Sequence, residues 1–155
     1  MQEDDYFKFL EFEKLLIEQE INNYLGLLGI KYVLDSRIKS LEKIKIKQEY
    51  LKRKGRPCDL TDVDDIVGFR ISTETEDDLL LIEAFLEGTI FYTYQMIKFV
   101  DFYFKPKDTG YKAFNIFFIS HHGIHFEIQL MTENMKKWTN STHLEHDIRK
   151  YGRGG

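Results

Sequence analysis

The segment from residue 124 to residue 130 alternates strictly between apolar and polar side chains. Successive side chains of a β-strand point to opposite faces, so this pattern predicts a strand with one buried face. The opposite face then presents the carboxylate of Glu127 between apolar neighbours, and a carboxylate in that position is usually paired or functional. The predicted buried face holds Ile124, Phe126, Ile128 and Leu130, and the polar face holds His125, Glu127 and Gln129.

The rest of the chain alternates helical and extended patterns around this strand. Residues 111–120 are predicted to form a second strand, which is joined to it as a hairpin around His121, His122 and Gly123. Helical spacing, capping residues and glycine stops predict helices over residues 6–26, 40–54, 75–86 and 132–150. Further strands are predicted within 65–73 and 89–104, and residues 29–34 suit a strand or a second short segment that leads into the basic stretch. This order predicts an α/β or α+β fold with a mixed β-sheet flanked by helices.

Length and composition limit the class of protein. A chain of 155 residues suits a single domain over 1–155, with a core of motifs over about 30–151. One cysteine, Cys58, excludes a disulfide framework and a multi-cysteine zinc site. No apolar run approaches the roughly 20 residues that span a bilayer. The acidic start has no signal-peptide pattern, so we expect a cytoplasmic protein without a membrane partner.

Positive charge is concentrated in one segment of an acidic chain. Residues 37–56 hold nine basic and two acidic residues, a net +7, whereas the whole chain carries −4. Such a segment is typical of an anion site or of a solvated helix face, and charge alone does not separate the two. If the segment is helical, Lys39, Lys43 and Lys47 recur every four residues and lie on one face, where a polyanion would relieve their repulsion.

Phosphoryl-type transfer from ATP requires cations on the phosphates, a carboxylate-held magnesium ion and an aligned nucleophile. The basic segment supplies the cations. Asp65 and Glu127 are carboxylates on separate predicted strands and could share Mg²⁺, which takes one or two carboxylates together with phosphate oxygens. Regular alternation puts Asp65 and Arg70 on opposite faces, so we expect Asp65 at the strand's edge or at a bulge.

Five short motifs follow one another along the chain in a specific order. They are Ser-Arg-x-Lys-Ser at 36–40, Asp-x-x-Gly-x-Arg at 65–70, Lys-Pro-Lys-x-x-Gly-Tyr-Lys at 105–112, Glu-Ile-Gln at 127–129, and a segment from Trp138 to Glu145-His146. This order resembles the synthetase domain of the RelA/SpoT family, particularly the small single-domain alarmone synthetases. The resemblance covers about residues 30–151.

The resemblance implies a role for each matching position. It implies that Arg37, Lys39 and Lys47 hold the triphosphate and stack on the adenine, and that Arg70 binds phosphate. Lys43 is a further ATP-binding candidate because it belongs to the basic segment. It makes Asp65 and Glu127 ligands of Mg²⁺, and Asp65, Arg70 and Glu127 together the catalytic residues. As an alternative to binding the metal, Glu127 would be the base that deprotonates the acceptor's 3′ hydroxyl. It places the acceptor against Tyr111, Lys112, Asn115 and Gln129, with Glu145 and His146 in support.

Some positions depart from the family pattern, mostly on the acceptor side. Asn115 stands where the family's Gly-Tyr-x-Ser-x-His motif ends in histidine, Met131 replaces a common arginine, and Lys43 replaces a small polar residue. The implied enzyme transfers the β,γ-pyrophosphate of ATP to the ribose 3′ hydroxyl of GDP or GTP, making a (p)ppGpp-type alarmone. One alternative is a toxin-like relative that modifies adenosine nucleotides or the 3′ CCA end of tRNA.

A second alternative is a degenerate module that binds a nucleotide and regulates a partner. The intact Asp65 and Glu127 favour the enzyme over this module. The expected partners are therefore ATP and a nucleotide acceptor, with tRNA, an antitoxin or a second copy of the chain as further candidates. The apolar stripe of the N-terminal helix suits the core or a contact between copies.

Overall fold

A computed structural model describes residues 3–55, 66–88 and 94–151, except for the side chains of residues 3, 4, 41 and 143–151. The four helices of this part are α1 (Glu3–Leu25), α2 (Leu41–Arg53), α3 (Glu76–Gly88) and α4 (Glu133–Tyr151). Its five strands are β1 (Val33–Ile38), β2 (Val67–Thr73), β3 (Gln95–Asp101), β4 (Phe114–Ile119) and β5 (His125–Thr132).

The five strands form one sheet in the order β1-β2-β5-β4-β3. The central strands β2 and β5 are parallel, and every other neighbouring pair is antiparallel. The hairpin is formed by β4 and β5, as the alternating pattern predicted. The mixed sheet flanked by helices is thus confirmed, and none of the helices in the described ranges is long and apolar enough to cross a bilayer.

Hydroxyl side chains cap three of the helices, and the caps at Thr75 and Thr132 were predicted from the sequence. The Ser40 hydroxyl accepts a hydrogen bond from the Lys43 backbone N–H at 3.2 Å at the start of α2. The Thr75 hydroxyl accepts from Asp78 N–H at 3.2 Å in α3. Thr132 ends β5 and caps α4, because its hydroxyl accepts from the Met135 N–H at 3.3 Å. Each cap satisfies an N–H that the helix itself leaves unpaired.

The hydrophobic core lies on one face of the sheet. The even-numbered apolar residues of β5 are fully buried there, and α1 and α3 contribute apolar residues spaced three, four or seven apart. Aromatic rings fill much of this space, with Phe118 and Phe126 stacked at a centroid distance of 5.2 Å. The helical contribution consists of Leu10, Ile17, Ile21 and Leu25 from α1 and Leu79, Ile82 and Leu86 from α3.

Two predictions around the basic segment were wrong. The strand considered for residues 29–34 begins only at Val33 and runs to Ile38, because a 3₁₀ turn and the left-handed Gly29 come first. Lys39 does not lie on α2. It sits between β1 and Ser40, its N–H donates to the Ile66 carbonyl at 2.7 Å, and its side chain is buried. Lys39, Lys43 and Lys47 therefore do not form one helical stripe.

Candidate functional site

The polar face of the sheet brings separate motifs together in two rows. Directly paired residues of neighbouring strands share a face, so the strand register defines the rows. The first row consists of Arg37, Gly68, Glu127 and Phe117, and the second of Asp35, Arg70, Gln129 and Asn115. The Arg-x-Lys, Asp-x-x-Gly-x-Arg and Glu-Ile-Gln motifs thus meet on adjacent strands.

Glycine at position 68 leaves the space between Arg37 and Glu127 without a side chain. The Arg37 side chain lies over it, since a Cβ built on Gly68 would be 3.8 Å from both Cγ and Nε of Arg37. Glu127 is paired with Gly68 on the other side and is only 8% exposed. A guanidinium and a buried carboxylate therefore flank the glycine on the polar face.

A chain of hydrogen bonds runs across this face from α4 to β5. Arg70 donates from Nη1 to Asn140 Oδ1 at 3.0 Å and from Nε to Gln129 Oε1 at 3.1 Å. Gln129 in turn donates from Nε2 to Glu127 Oε1 at 3.1 Å. Burial lowers the pKa of the Arg70 guanidinium, although its pKa stays far above neutrality in proteins. The chain couples the orientation of Arg70 to that of Glu127.

The loop before β4 adds an aromatic and cationic cluster. Gly110 adopts φ +96°, which favours glycine, and its N–H donates to the Lys107 carbonyl at 2.9 Å in a tight turn. The Lys107 ammonium lies 4.6 Å from the ring centroid of Phe102 and 5.2 Å from that of Tyr111. Tyr111 donates from its hydroxyl to Asn115 Oδ1 at 2.9 Å.

Electrostatics link this loop to Glu127. Burial, and secondarily the negative charge of Glu127, raise the pKa of Tyr111, so its hydroxyl stays protonated at neutral pH. Burial lowers the pKa of Lys107, and the attraction of Glu127 opposes that shift. Lys107 lies within the 105–112 motif and yet was absent from the sequence-based site. Its position within that motif, two residues before Thr109-Gly110, was the sequence feature that could have identified Lys107 as a site residue.

The structure brings six of the predicted site residues onto the polar face and its adjoining loop. They are Arg37, Arg70, Tyr111, Asn115, Glu127 and Gln129. Lys43 is exposed on α2, and Lys47 is half-buried one turn further along it. Lys112 lies apart, because its ammonium sits 4.5 Å from the ring centroid of Tyr103, which stacks on the core residue Phe114.

Three predicted residues fall outside the described positions. Asp65 immediately precedes the described Ile66, and Glu145 and His146 belong to α4 in a part where side chains are not described. Glu127 has the hard oxygen donors that Mg²⁺ prefers and sits beside cations that suit phosphate oxygens. The donor chemistry of Glu127 therefore fits Mg²⁺. No group of three metal-ligating side chains occurs among the described residues.

Helix α4 contributes side chains that the sequence did not reveal. Besides the Asn140 contact to Arg70, Lys136 forms an ion pair with Asp35 at 2.8 Å. Glu133 accepts a hydrogen bond from Ser72 at 3.0 Å. These contacts attach the first two turns of α4 to β1 and β2. No pattern in the sequence marks Asn140, because its role depends on how α4 packs over the sheet.

A separate cleft of about 290 Å³ lies between α1 and the tip of the hairpin. The buried carboxylate of Glu13 accepts from the Ser120 hydroxyl and contacts His122 Nδ1, each at 3.0 Å. Glu20 contacts the Tyr94 hydroxyl on the same side. The contacts of Glu13 tie α1 to the hairpin, and His122 is held in place by this carboxylate.

The sequence and the fold both have known relatives. The family model described as "Region found in RelA / SpoT proteins" matches residues 36–153. No curated protein sequence matches the chain. The structure of small alarmone synthetase 1 from Bacillus subtilis bound to its product pppGpp is similar at 19% identity, with a TM-score of 0.72 and coverage of 91% of this chain and 80% of that one.

Two further structures share the fold. Small alarmone synthetase 2 from Bacillus subtilis is 24% identical, with a TM-score of 0.68 over 94% of this chain and 80% of that one. The Type VI effector Tas1, in complex with its immunity protein, is 22% identical, with a TM-score of 0.57 over 81% of this chain and 58% of that one. At these identities the likeness establishes the fold.

Proposed function

The chain belongs to the RelA/SpoT family, and from that premise we propose that it is an ATP-dependent pyrophosphokinase. The proposed reaction transfers the β,γ-pyrophosphate of ATP to the ribose 3′ hydroxyl of GDP or GTP. One observation carries this proposal. Glu127 is a buried carboxylate that shares the polar face with Arg37 and Arg70, so a base and phosphate-binding cations lie on adjacent strands.

In the proposed step, the acceptor's 3′ oxygen attacks the β-phosphorus of ATP. The bond from that phosphorus to the α,β-bridging oxygen breaks, and AMP leaves with the bond's electron pair. Glu127 accepts the proton of the 3′ hydroxyl, a role that its burial and position in the first row support. The negative charge that develops on the phosphoryl oxygens is stabilised by Arg37 and Arg70.

The remaining cations would bind the rest of the triphosphate. Lys39 lies where β1 passes into α2, and Lys43 and Lys47 lie on the first two turns of that helix, which follows the strand that carries Arg37 in the chain. We assign Mg²⁺ to Glu127 together with Asp65, and when bound it supplies charge neutralisation and orientation of the phosphates. The protein groups named above then bind and align the reactants around it.

For the acceptor we propose a site at Tyr111, Asn115 and Gln129. The Tyr111 ring is oriented by its hydroxyl bond to Asn115, and Asn115 pairs in register with Gln129, the link to Glu127. A nucleobase stacked on that ring would bring its ribose toward the carboxylate. Lys112 is not included, because its ammonium packs on Tyr103.

The second candidate function is a toxin-like transferase that acts on adenosine nucleotides or the 3′ end of tRNA. The specific observation in its favour is Asn115, which occupies the acceptor side where the family pattern has histidine, and which hydrogen-bonds Tyr111. The fold likeness to the effector Tas1, known in complex with an immunity protein, is compatible with this candidate. An antitoxin-like partner would then be expected.

A transfer assay tests the proposal and separates the candidates. ATP labelled at the γ-phosphate is supplied with Mg²⁺ and, in parallel, with GDP, GTP, AMP, ATP or deacylated tRNA. Label on GDP or GTP supports the alarmone synthetase, and label only on adenosine nucleotides or tRNA supports the toxin-like enzyme. The matched controls are Glu127→Gln, which should be inactive, and Glu74→Gln, an exposed carboxylate paired with Lys31, which should be active. ATP binding without any transfer would favour a regulatory nucleotide-binding module.

A further inference from the structure

Within the described residues, the hydrogen bonds that Arg70 donates to Gln129 and Asn140 both end on neutral oxygens. Gln129 Oε1 and Asn140 Oδ1 are amide oxygens, each about one hydrogen-bond length from the guanidinium, at 3.1 and 3.0 Å. An amide oxygen orients a guanidinium without cancelling its charge, whereas a carboxylate would form a charge-assisted pair that competes with phosphate. The choice of acceptors therefore matters for a cation that must bind a polyanion.

A carboxylate is present close by, and α4 provides it with a different cation. Asp35 on β1 is the direct register partner of Arg70 on β2, so the two side chains share the polar face. The Asp35 carboxylate is instead 2.8 Å from the ammonium of Lys136. Lys136 and Asn140 are four residues apart on α4 and so project from the same side of the helix.

We propose that Asn140 is a positioning residue that acts through Arg70, and that Lys136 assists it by holding Asp35. Together they keep the Arg70 guanidinium aimed along the polar face with its charge available to the phosphates of ATP. This proposal rests on the pyrophosphokinase function, and it adds a role for α4 on the ATP side of the site. Asn140 itself need not touch either nucleotide.

The Asn140→Asp variant tests this proposal directly. The side chain keeps its shape but places a carboxylate at the Arg70 Nη1 contact, so Arg70 gains a salt bridge and loses charge for the ligand. We expect kcat/KM for ATP to fall on the order of tenfold, while Tm stays equal or rises. Asn134→Asp, the same change at an exposed position of α4, is the matched control and should match wild type in both measurements.

A second set of variants tests the role of Lys136. Lys136→Met releases Asp35 toward Arg70 and should lower kcat/KM for ATP, and adding Asp35→Asn should restore most of the loss. Wild-type kinetics in Asn140→Asp would overturn the proposal. A fall in Tm that parallels the fall in activity would also overturn it, because that is what a purely structural role predicts.

Calorimetric binding of a non-hydrolysable ATP analogue separates this inference from the proposed function. If wild-type protein transfers pyrophosphate to no acceptor, the proposed function fails. Weaker analogue binding by Asn140→Asp than by Asn134→Asp would still support the role of Asn140 in that case, and equal binding would overturn it.

Discussion

The two faces of strands β2 and β5 serve different purposes although they share one backbone. The apolar face is fully buried, with Phe69 and Phe126 packed edge to face at 5.8 Å. The polar face carries Arg70 and Glu127, which are held by side-chain hydrogen bonds and by α4. Because the same ladder of backbone bonds fixes both faces, the core provides the rigidity that positions the chemical groups. Substitutions on the polar face should therefore mainly lower activity, whereas substitutions on the apolar face should mainly lower stability.

The largest expected effect comes from the polar face. Glu127→Gln removes the proposed base while preserving the shape of the side chain, and transfer should fall by about 10²–10⁴-fold. Tm should remain close to that of wild type, because the amide can still accept the bond from Gln129. Steady-state kinetics and thermal unfolding measure both. Full activity in this variant would contradict the assignment of Glu127.

The next effect in size contrasts neighbouring positions on β4. Phe118 is fully buried on the apolar face, so Phe118→Ala should lower the free energy of unfolding by about 3–5 kcal/mol. Phe117 is half-buried on the polar face, and Phe117→Ala should cost clearly less. Urea unfolding of both variants measures the difference. Equal losses would show that the two faces contribute alike to stability.

A smaller effect is expected at the junction between β5 and α4. Thr132→Ala removes the hydroxyl that caps α4, and should lower the free energy of unfolding by about 1 kcal/mol. Since α4 carries Asn140, transfer should also decrease by a small factor. Urea unfolding and kinetics on the same preparation compare the two losses. Unchanged activity with reduced stability would indicate that the α4 contacts to the sheet tolerate fraying of its first turn.

The smallest effect concerns acidic residues at the rim of the apolar face. Burial, and then repulsion by Glu87, raise the pKa of Glu83 from 4.5 to about 7. A carboxyl whose pKa is higher in the folded protein binds protons more tightly there, so stability falls as the pH rises from 4.5 to about 7. Glu83→Gln should therefore raise Tm at pH 8 and leave it unchanged near pH 4. An equal shift at both pH values would rule out this explanation.

The sequence predicted the parts of the fold that depend on local physics. The alternation around Glu127 predicted the core-facing side chains of β5, although Glu127 and Met131 on the other face are buried as well. Thr75 and Thr132 were recognisable as caps because their hydroxyls act within three residues. The prediction for Lys39 was wrong for a related reason. Its spacing suited a helix, but Ser40 is the cap of α2, which begins at Leu41 and leaves Lys39 in the connection.

Other features of the site depended on contacts between distant segments. Lys112 follows Tyr111 in the chain, and yet the Lys112 ammonium lies over the ring of Tyr103, whereas the Tyr111 hydroxyl donates to Asn115. Nothing local distinguishes Asn140 from other polar residues of its helix, because its contact to Arg70 joins positions 70 residues apart. Such contacts are set by helix packing on the sheet.

By itself, the sequence determined the order of helices and strands, the two faces of β5 and the succession of motifs, since these follow from periodicity, capping and residue chemistry. Only the tertiary structure decided that Arg37, Gly68 and Glu127 form one row and that α4 supplies Asn140 and Lys136. Strand register and helix docking decide those contacts. Both minimise the free energy of the whole core, which no local segment encodes.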